Sequence, residues 1–301
     1  MIVPALLPIV PVAAQTSHPG SAPGGFENTG DASPYGDAFV KKDIQYVANP
    51  HLRQTFDLYL PKNKEHGPST LIFWLHGGAW MLSNKDWNNV KYLVKQGYAL
   101  ASVDYRLSGD AGFPAQIKDC NTALNFILAH SDSYGIDPKH FVVGGASAGG
   151  HLALLLGLAR NEKAFGADPS LKPFAILDFF GPTDLTTILD EVGPGHGHQV
   201  LEDAQQRLLG SLTNQLDMTR AASPIIYVSP GNPPVLILHG DKDDLVPYSQ
   251  SQRLHSRLDQ VGVSNEFVTV QGAGHDGPMF ETPEIQKRVF SFLHESARGG
   301  K

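Results

Sequence analysis

The sequence predicts an α/β fold in which a mostly parallel sheet carries helices on both faces. Short continuous apolar runs, such as residues 71–75 and 174–180, are typical of strands that are buried on both sides. A longer amphipathic segment, residues 113–131, is typical of a helix. Strands that alternate with helices along a chain form parallel sheets, because each helix returns the chain across one face of the sheet.

Each element has its own signal. The strands are predicted by apolar or alternating runs at residues 54–60, 71–75, 98–103, 140–144, 174–180, 235–239 and 266–270. Helices are predicted at residues 83–96, 113–131, 147–160, 248–260 and 283–297, and the segment 113–131 among them is amphipathic. For the first helix, Ser83 is the expected N-cap and Gly97 lies just past the end.

The alternation stops between residues 181 and 227. This segment holds short helical pieces and a glycine-rich loop at residues 193–198. We expect it to form a small cap over the carboxyl-terminal edge of the sheet. The folded domain is expected to span residues 39–301 and to include this insertion.

Composition narrows the possible functions. The chain has 301 residues, of which 41% are hydrophobic, enough for one large domain. Its net charge of −7 argues against a nucleic-acid partner. The single cysteine, Cys120, rules out an intrachain disulfide and lies in a helical pattern, where a small buried side chain is expected.

The amino-terminal segment has the features of an atypical leader. Residues 1–14 are uncharged and mostly apolar, and the small residues before Gln15 suit cleavage by signal peptidase after Ala14. No Lys or Arg precedes the apolar stretch, and its three prolines and short length do not suit a membrane span. We expect a secreted or periplasmic protein, with a cytoplasmic extension as the alternative. Residues 15–38, rich in Gly, Ser and Pro, are expected to be flexible.

A strand-to-helix turn offers the clearest candidate for catalysis. Ser147 lies in the stretch GASAG, directly after the strand at residues 140–144 and before an apolar helix. The G-x-S-x-G spacing suits a nucleophile elbow, in which small neighbours permit a strained backbone and the serine hydroxyl projects from the sheet edge. A glycine-rich turn without chemistry is the alternative, since this short motif also arises by chance.

A serine nucleophile needs a base and a carboxylate that orients the base. His275, flanked by glycines in a loop after a late strand, is the predicted base. Asp243, in the loop after the strand at residues 235–239, is the predicted acid. Both loops are expected at the same sheet edge as Ser147. Other acids that compete for this role less well are Asp241, Asp244, Asp178 and Asp184.

Two backbone N–H groups should hold the negative charge that develops on the attacked carbonyl oxygen. Ala148, directly after the nucleophile, is expected to provide one. The loop after residues 71–75, which reads HGGAW, is expected to provide the other from Gly78, with Gly77 as a further donor. His76 in this loop is expected to hold the backbone by hydrogen bonding rather than to transfer protons.

These motifs together resemble those of α/β-hydrolase esterases related to hormone-sensitive lipase. The resemblance is closer to bifunctional feruloyl and acetylxylan carbohydrate esterases, and it covers roughly residues 40–297. One departure is Ala79, where relatives of hormone-sensitive lipase usually carry a third glycine. The matching stretches are HGGAW (76–80), VDYRL (103–107), YGIDP (134–138), GASAGGHL (145–152), GPTDL (181–185), LHGDKDDLVP (238–247) and GAGH (272–275).

The resemblance implies a serine esterase of the α/β-hydrolase fold that works without a cofactor. It implies acetyl or feruloyl groups on a plant polysaccharide such as xylan as substrate, with small esters as the alternative. Kynurenine formamidase and a non-catalytic ligand receptor are weaker alternatives. Trp80 and Met279 are candidates for the substrate pocket, although they suit core packing equally well. His196 and His198 lack partners with metal-ligand spacing, so no metal site is expected.

Overall fold

The computed structural model describes residues 25–30, 33–62, 67–210 and 215–299. The expected leader at residues 1–14 and part of the expected flexible segment lie outside them. The described strands form one nine-stranded sheet in the order β1-β2-β3-β5-β4-β6-β7-β8-β9. They are β1 (Glu27–Asn28), β2 (Ala38–Gln45), β3 (Thr55–Pro61), β4 (Ser69–Leu75), β5 (Ala99–Val103), β6 (Ile136–Ala146), β7 (Ala175–Phe179), β8 (Val235–Gly240) and β9 (Asn265–Val270).

The sheet is antiparallel at one edge and parallel through the rest. Strands β1, β2 and β3 pair antiparallel, and β3 also pairs antiparallel with β5. All other pairs, from β5 through β4 and β6 to β9, are parallel. The carboxyl ends of β4, β6, β8 and β9 therefore meet at one edge, and the predicted site residues follow these strands.

Eight α-helices lie in the described part of the chain. They are α1 (Ala115–Ala129), α2 (Ser131–Tyr134), α3 (Ala148–Leu158), α4 (Ile188–Val192), α5 (His196–Leu209), α6 (Gln215–Ala221), α7 (Tyr248–Gln260) and α8 (Pro283–Gly299). The predicted α/β order is confirmed, with strand and helix ends shifted by a few residues.

The core lies on both faces of the sheet, as the continuous apolar strands predict. Alternate residues of β4 point to opposite sides: Phe73 belongs to the same core cluster as Leu124 of α1, whereas Trp74 belongs to a second cluster that includes Val289 of α8. All four of these side chains are fully buried. Cys120 is also fully buried on α1, as expected, and burial raises its pKa well above the ordinary value.

The helix predicted at residues 83–96 is wrong over its first half. Only a short 3-10 helix, Lys91–Gln96, forms there, and it ends at Gly97 in the left-handed conformation with φ of 92°. Ser83 does not cap a helix and has a positive φ of 72°. Side chains compete for the backbone in this segment: Asn84 accepts the N–H of Asp86. Such local bonds draw a chain away from helix.

The insertion at residues 181–227 contains α4, α5, α6 and a 3-10 turn, Pro224–Tyr227. It packs against the loop after β8, since a Cβ added to Gly197 at the start of α5 would clash with the carbonyl oxygen of Asp244. Within the described ranges, no helix combines the length and the apolar character that a membrane crossing requires.

Candidate active site

Ser147 occupies a strained turn between β6 and α3. Its backbone has φ of 54° and ψ of −120°, and its N–H donates to the carbonyl oxygen of Phe179 over 2.8 Å. Glycine is required beside it, because a Cβ on Gly149 would clash with the carbonyl oxygen of Leu75. The amino terminus of α3 begins directly after Ser147, so the helix dipole favours negative charge at this position.

The structure brings Ser147, His275 and Asp243 into one hydrogen-bonded chain. The Ser147 hydroxyl lies 2.9 Å from His275 Nε2, and His275 Nδ1 lies 2.8 Å from Asp243 Oδ2. A carboxylate only accepts, so Nδ1 carries the hydrogen and Nε2 is free to accept from the hydroxyl. The Asp243 side chain is fully buried, whereas 14% of the His275 side chain is exposed.

Asp243 is held as an anion despite its burial. Burial alone would raise the pKa of this carboxyl, but hydrogen bonds from His239 and His275 outweigh that effect and hold the pKa well below its ordinary value. The other oxygen, Oδ1, accepts the backbone N–H groups of Leu245 and Val246, each over 2.9 Å. A carboxylate that is ionised at neutral pH therefore faces the His275 ring.

The competing acids lie elsewhere. Asp241 accepts the N–H of Gly272 and so ties two loops together, and Asp244 is exposed. Asp184 lies beside Arg253 at 3.9 Å. Asp178 is fully buried beneath the elbow, accepts the N–H of Gly181, and burial raises its pKa to about 8.

Sequence reasoning missed His239, the last residue but one of β8. Its Nε2 lies 3.0 Å from Asp243 Oδ2, so two histidines share this carboxylate oxygen. The side chain of His239 is fully buried. A histidine near the end of a buried strand, four residues before an acid, was the signal available in the sequence.

The loop after β4 lies against the elbow, where the expected oxyanion donors are needed. A Cβ on Gly77 would approach the carbonyl oxygen of Ala146 to 2.9 Å. Gly78 has φ of 99°, which an L-residue rarely adopts. Within the described ranges, no residue accepts a hydrogen bond from the N–H of Gly77 or Gly78. These N–H groups, with that of Ala148 at the start of α3, are available to an anionic ligand atom.

His76 stabilises this loop through three contacts. Its Nδ1 lies 2.7 Å from the carbonyl oxygen of Gly77, its Nε2 lies 3.3 Å from Asp104 Oδ1, and its ring stacks on Tyr105. Burial would raise the pKa of Asp104, but His76 and Lys85 lower it below the ordinary value. Asp104 does not pair with Arg106, which instead forms a two-bond ion pair with Asp119.

The two candidate pocket residues differ in exposure. Trp80 is 1% exposed, and its indole N–H donates to His151 Nδ1 over 3.2 Å, so its side chain packs in the core. Burial lowers the pKa of His151 to about 4, which keeps this histidine neutral as an acceptor. Met279 is 40% exposed and is accessible to a ligand.

Backbone strain is concentrated around the site. Positive φ angles occur at Ala79 and Trp80 after the glycines, at Ser147, at Phe180 after β7 and at Asp276 beside the histidine. Phe180 is a second residue that sequence reasoning missed: its ring packs edge-on against His275 with centroids 4.9 Å apart. Such strain persists where the surrounding structure fixes it, which is common at functional sites.

This arrangement can carry out acyl transfer. A hydroxyl that donates to a neutral imidazole can lose its proton to that ring as it attacks, and the buried carboxylate stabilises the imidazolium that forms. Backbone N–H groups that have no acceptor among the described residues, such as that of Ala148 directly after Ser147, can hold an oxyanion. The described residues contain no cluster of three His, Cys, Asp or Glu side chains suited to a metal ion.

Comparisons with known proteins agree with the fold. Esterase LipC of Mycobacterium tuberculosis (strain ATCC 25618 / H37Rv) is 30% identical over 247 residues, which cover 78% of this chain and 59% of LipC. The chain spans about half the length of the curated relatives it matches.

Two solved structures superpose closely. A truncated form of a carbohydrate esterase from gut microbiota has a TM-score of 0.76 and 27% identity, and the match covers 86% of this chain and 96% of the other. A bifunctional GH43-CE of Bacteroides eggerthii has a TM-score of 0.76 and 31% identity, covering 86% of this chain and 35% of the other. The BD-FAE family model matches residues 56–258, which include the elbow and the loop that carries Asp243. The chain has the α/β-hydrolase fold and belongs to the BD-FAE family.

Proposed function

We propose that the protein is a serine carboxylic-ester hydrolase that works through an acyl-enzyme. The observation that carries the proposal is the chain of contacts from the Ser147 hydroxyl to His275 and on to buried Asp243, at 2.9 and 2.8 Å. Membership of the BD-FAE family and similarity to esterase LipC support it.

The proposed reaction has two halves. Ser147 Oγ attacks the ester carbonyl while its proton passes to His275 Nε2, and Asp243 stabilises the imidazolium. The N–H groups of Gly78 and Ala148, with Gly77, hold the oxyanion. His275 returns the proton to the departing alcohol, which leaves an acyl group on Ser147. Water, deprotonated by His275, then releases the acid and restores the hydroxyl.

Labelling with a fluorophosphonate tests the reaction class. We expect wild-type protein to be labelled at Ser147 and to hydrolyse p-nitrophenyl butyrate, and both properties to be absent from Ser147→Ala. A wild-type protein that is neither labelled nor active would favour the alternative of a non-catalytic ligand receptor, because such a receptor has no activated serine.

For the substrate, we propose acetyl or feruloyl esters of plant polysaccharide, such as xylan. The support is the family match and the two carbohydrate esterase structures. The insertion at residues 181–227 is proposed as a cap that contacts the sugar, with Met279 at the pocket. Trp80 would then contribute through packing, because its side chain is buried.

Release of acetate from acetylated xylan, measured beside hydrolysis of p-nitrophenyl butyrate, tests the substrate. Comparable rates on both would support a carbohydrate esterase. Activity on the small ester alone would favour a general short-chain carboxylesterase, the second candidate, which the similarity to LipC favours. If neither substrate is hydrolysed, a formylamide would be tested next, because kynurenine formamidase is the remaining enzymatic alternative.

We further propose that the protein is exported and that residues 1–14 are removed. The support is the apolar, uncharged composition of these residues and the small residues before Gln15. The mass of the protein recovered from the medium or periplasm of its host would show whether cleavage follows Ala14. Protein retained in the cytoplasm at full length would overturn this proposal.

A further inference from the structure

We propose that His239 is a positioning residue for the reaction and that it acts through Asp243. It would fix the carboxylate that orients His275 and set the pH below which activity falls. The inference rests on the proposed function, and it is testable separately from it.

The geometry places His239 as a donor to the acid. The carboxylate oxygen Asp243 Oδ2 and the carbonyl oxygen of Val246 both lie 3.0 Å from His239 Nε2, and both can only accept. Nε2 therefore carries a hydrogen. With the N–H groups of Leu245 and Val246 on Oδ1 and with His275, the buried carboxylate has four donors.

Helix α7 holds the His239 ring in this orientation. The Ser251 hydroxyl lies 2.7 Å from His239 Nδ1, where it donates to the neutral ring. Tyr248, also on α7, packs edge-on against the ring with centroids 5.6 Å apart. The described titratable groups in contact with His239 are Tyr248 from α7 and Asp243 from the loop after β8, and His275 from the loop after β9 binds the same carboxylate oxygen.

Because Asp243 Oδ2 accepts from both rings, its negative charge is shared between them. Loss of the His239 donor would leave more of that charge to stabilise the imidazolium form of His275. His275 must be neutral to accept the serine proton, so the acidic limb of the pH profile of kcat/KM would move to higher pH. A residue that merely packs the core would lower activity without moving this limb.

The test compares His239→Phe with His239→Gln. The phenyl ring keeps the aromatic volume but cannot donate, whereas the amide group can donate to Asp243. We expect His239→Phe to move the acidic limb up by about one pH unit and to lower kcat/KM at low pH about tenfold. In His239→Gln the acidic limb should lie close to its wild-type position.

Two serines on α7 provide a matched pair. Ser251→Ala removes the bond to His239 and should move the limb in the same direction by a smaller amount. Ser249→Ala removes a bond to Glu191 instead and should leave the limb unchanged. These variants keep the proposal testable if His239→Phe fails to fold.

The proton NMR resonance of the His275 Nδ1 hydrogen gives a readout without turnover. It should shift in His239→Phe and Ser251→Ala but not in Ser249→Ala. An unchanged resonance and an unchanged acidic limb in folded His239→Phe would overturn the inference, even in an active esterase. If the wild-type protein hydrolyses no ester while the variants still show these resonance shifts, the proposed function alone would be overturned.

Discussion

The Ser147 hydroxyl lies 2.9 Å from His275 Nε2 although 128 residues separate the two positions in the chain. The fold explains the meeting. Ser147 follows β6 and His275 follows β9, and β6 to β9 are parallel neighbours. Their carboxyl ends lie at one edge of the sheet, so loops that are distant in sequence converge there.

Replacement of Ser147 by alanine should abolish ester hydrolysis and leave the fold intact. The hydroxyl oxygen is the only heavy atom lost, and its partner His275 is still held by Asp243 on the other side of the ring. We expect turnover to fall by at least about 10³-fold, toward the residual level that binding and oxyanion contacts alone support. Initial rates on p-nitrophenyl butyrate measure the loss, and a thermal unfolding curve controls for folding. A variant that retains near-normal rates would disprove the assignment of the nucleophile.

Replacement of Asp243 by asparagine should lower kcat by about 10³–10⁴-fold. The amide cannot act as an anion, so the imidazolium of His275 would lose its stabilising charge, and the ring would no longer be held in the required tautomer. Asp244→Asn is the control, because Asp244 is the exposed neighbour of Asp243 and should retain activity. A greater loss in Asp244→Asn than in Asp243→Asn would transfer the role to Asp244.

The sequence was sufficient to predict much of the fold and the three residues that meet at the site. Short apolar runs that alternate with longer helical segments indicate buried strands, and the elbow motif carries its spacing in the chain itself. The sequence did not exclude a helix over the whole of residues 83–96. Its first half does not form because local hydrogen bonds, such as that from the Asp86 N–H to the Asn84 side chain, hold the backbone in another conformation. The contact of His239 with Asp243 depends on how one loop turns after β8, which periodicity does not encode.

Replacement of Gly78 by alanine should impair the oxyanion donors. A Cβ here would clash with the carbonyl oxygen of Leu82, and the φ of 99° is strained for any L-residue. We expect kcat to fall about 10²–10³-fold, the loss typical of one missing donor, with a smaller change in KM. Gly231→Ala is the matched control, since Gly231 has φ of 82° but nothing within 4 Å of an added Cβ. Equal effects of both substitutions on kcat would show that strain alone, and not donor placement, accounts for the loss.

Replacement of Asp178 by asparagine should stabilise the protein in a pH-dependent way. Burial raises the pKa of Asp178 to about 8 in the folded protein, from an ordinary value of 3.8. As the pH rises from about 4 to 8, the unfolded chain gains stability by ionising this group while the folded protein keeps it protonated. The contribution of Asp178 to the free energy of unfolding of the wild-type protein is therefore fully present below pH 4 and is lost progressively as the pH rises toward 8.

Asparagine resembles the protonated carboxyl and does not ionise, so the difference in unfolding free energy should be small at pH 4 and grow up to pH 8. At pH 8 we expect it to exceed about 1.4 kcal/mol, the free energy of one pKa unit. Urea denaturation at pH 4, 6 and 8 measures this difference, and Asp244→Asn should show no such trend because Asp244 is exposed. A constant difference across this range would contradict the prediction, because it would mean that Asp178 is already ionised in the folded protein. An ionised Asp178 would need a hydrogen-bond partner for its second oxygen, Oδ2, and that atom has none among the described residues.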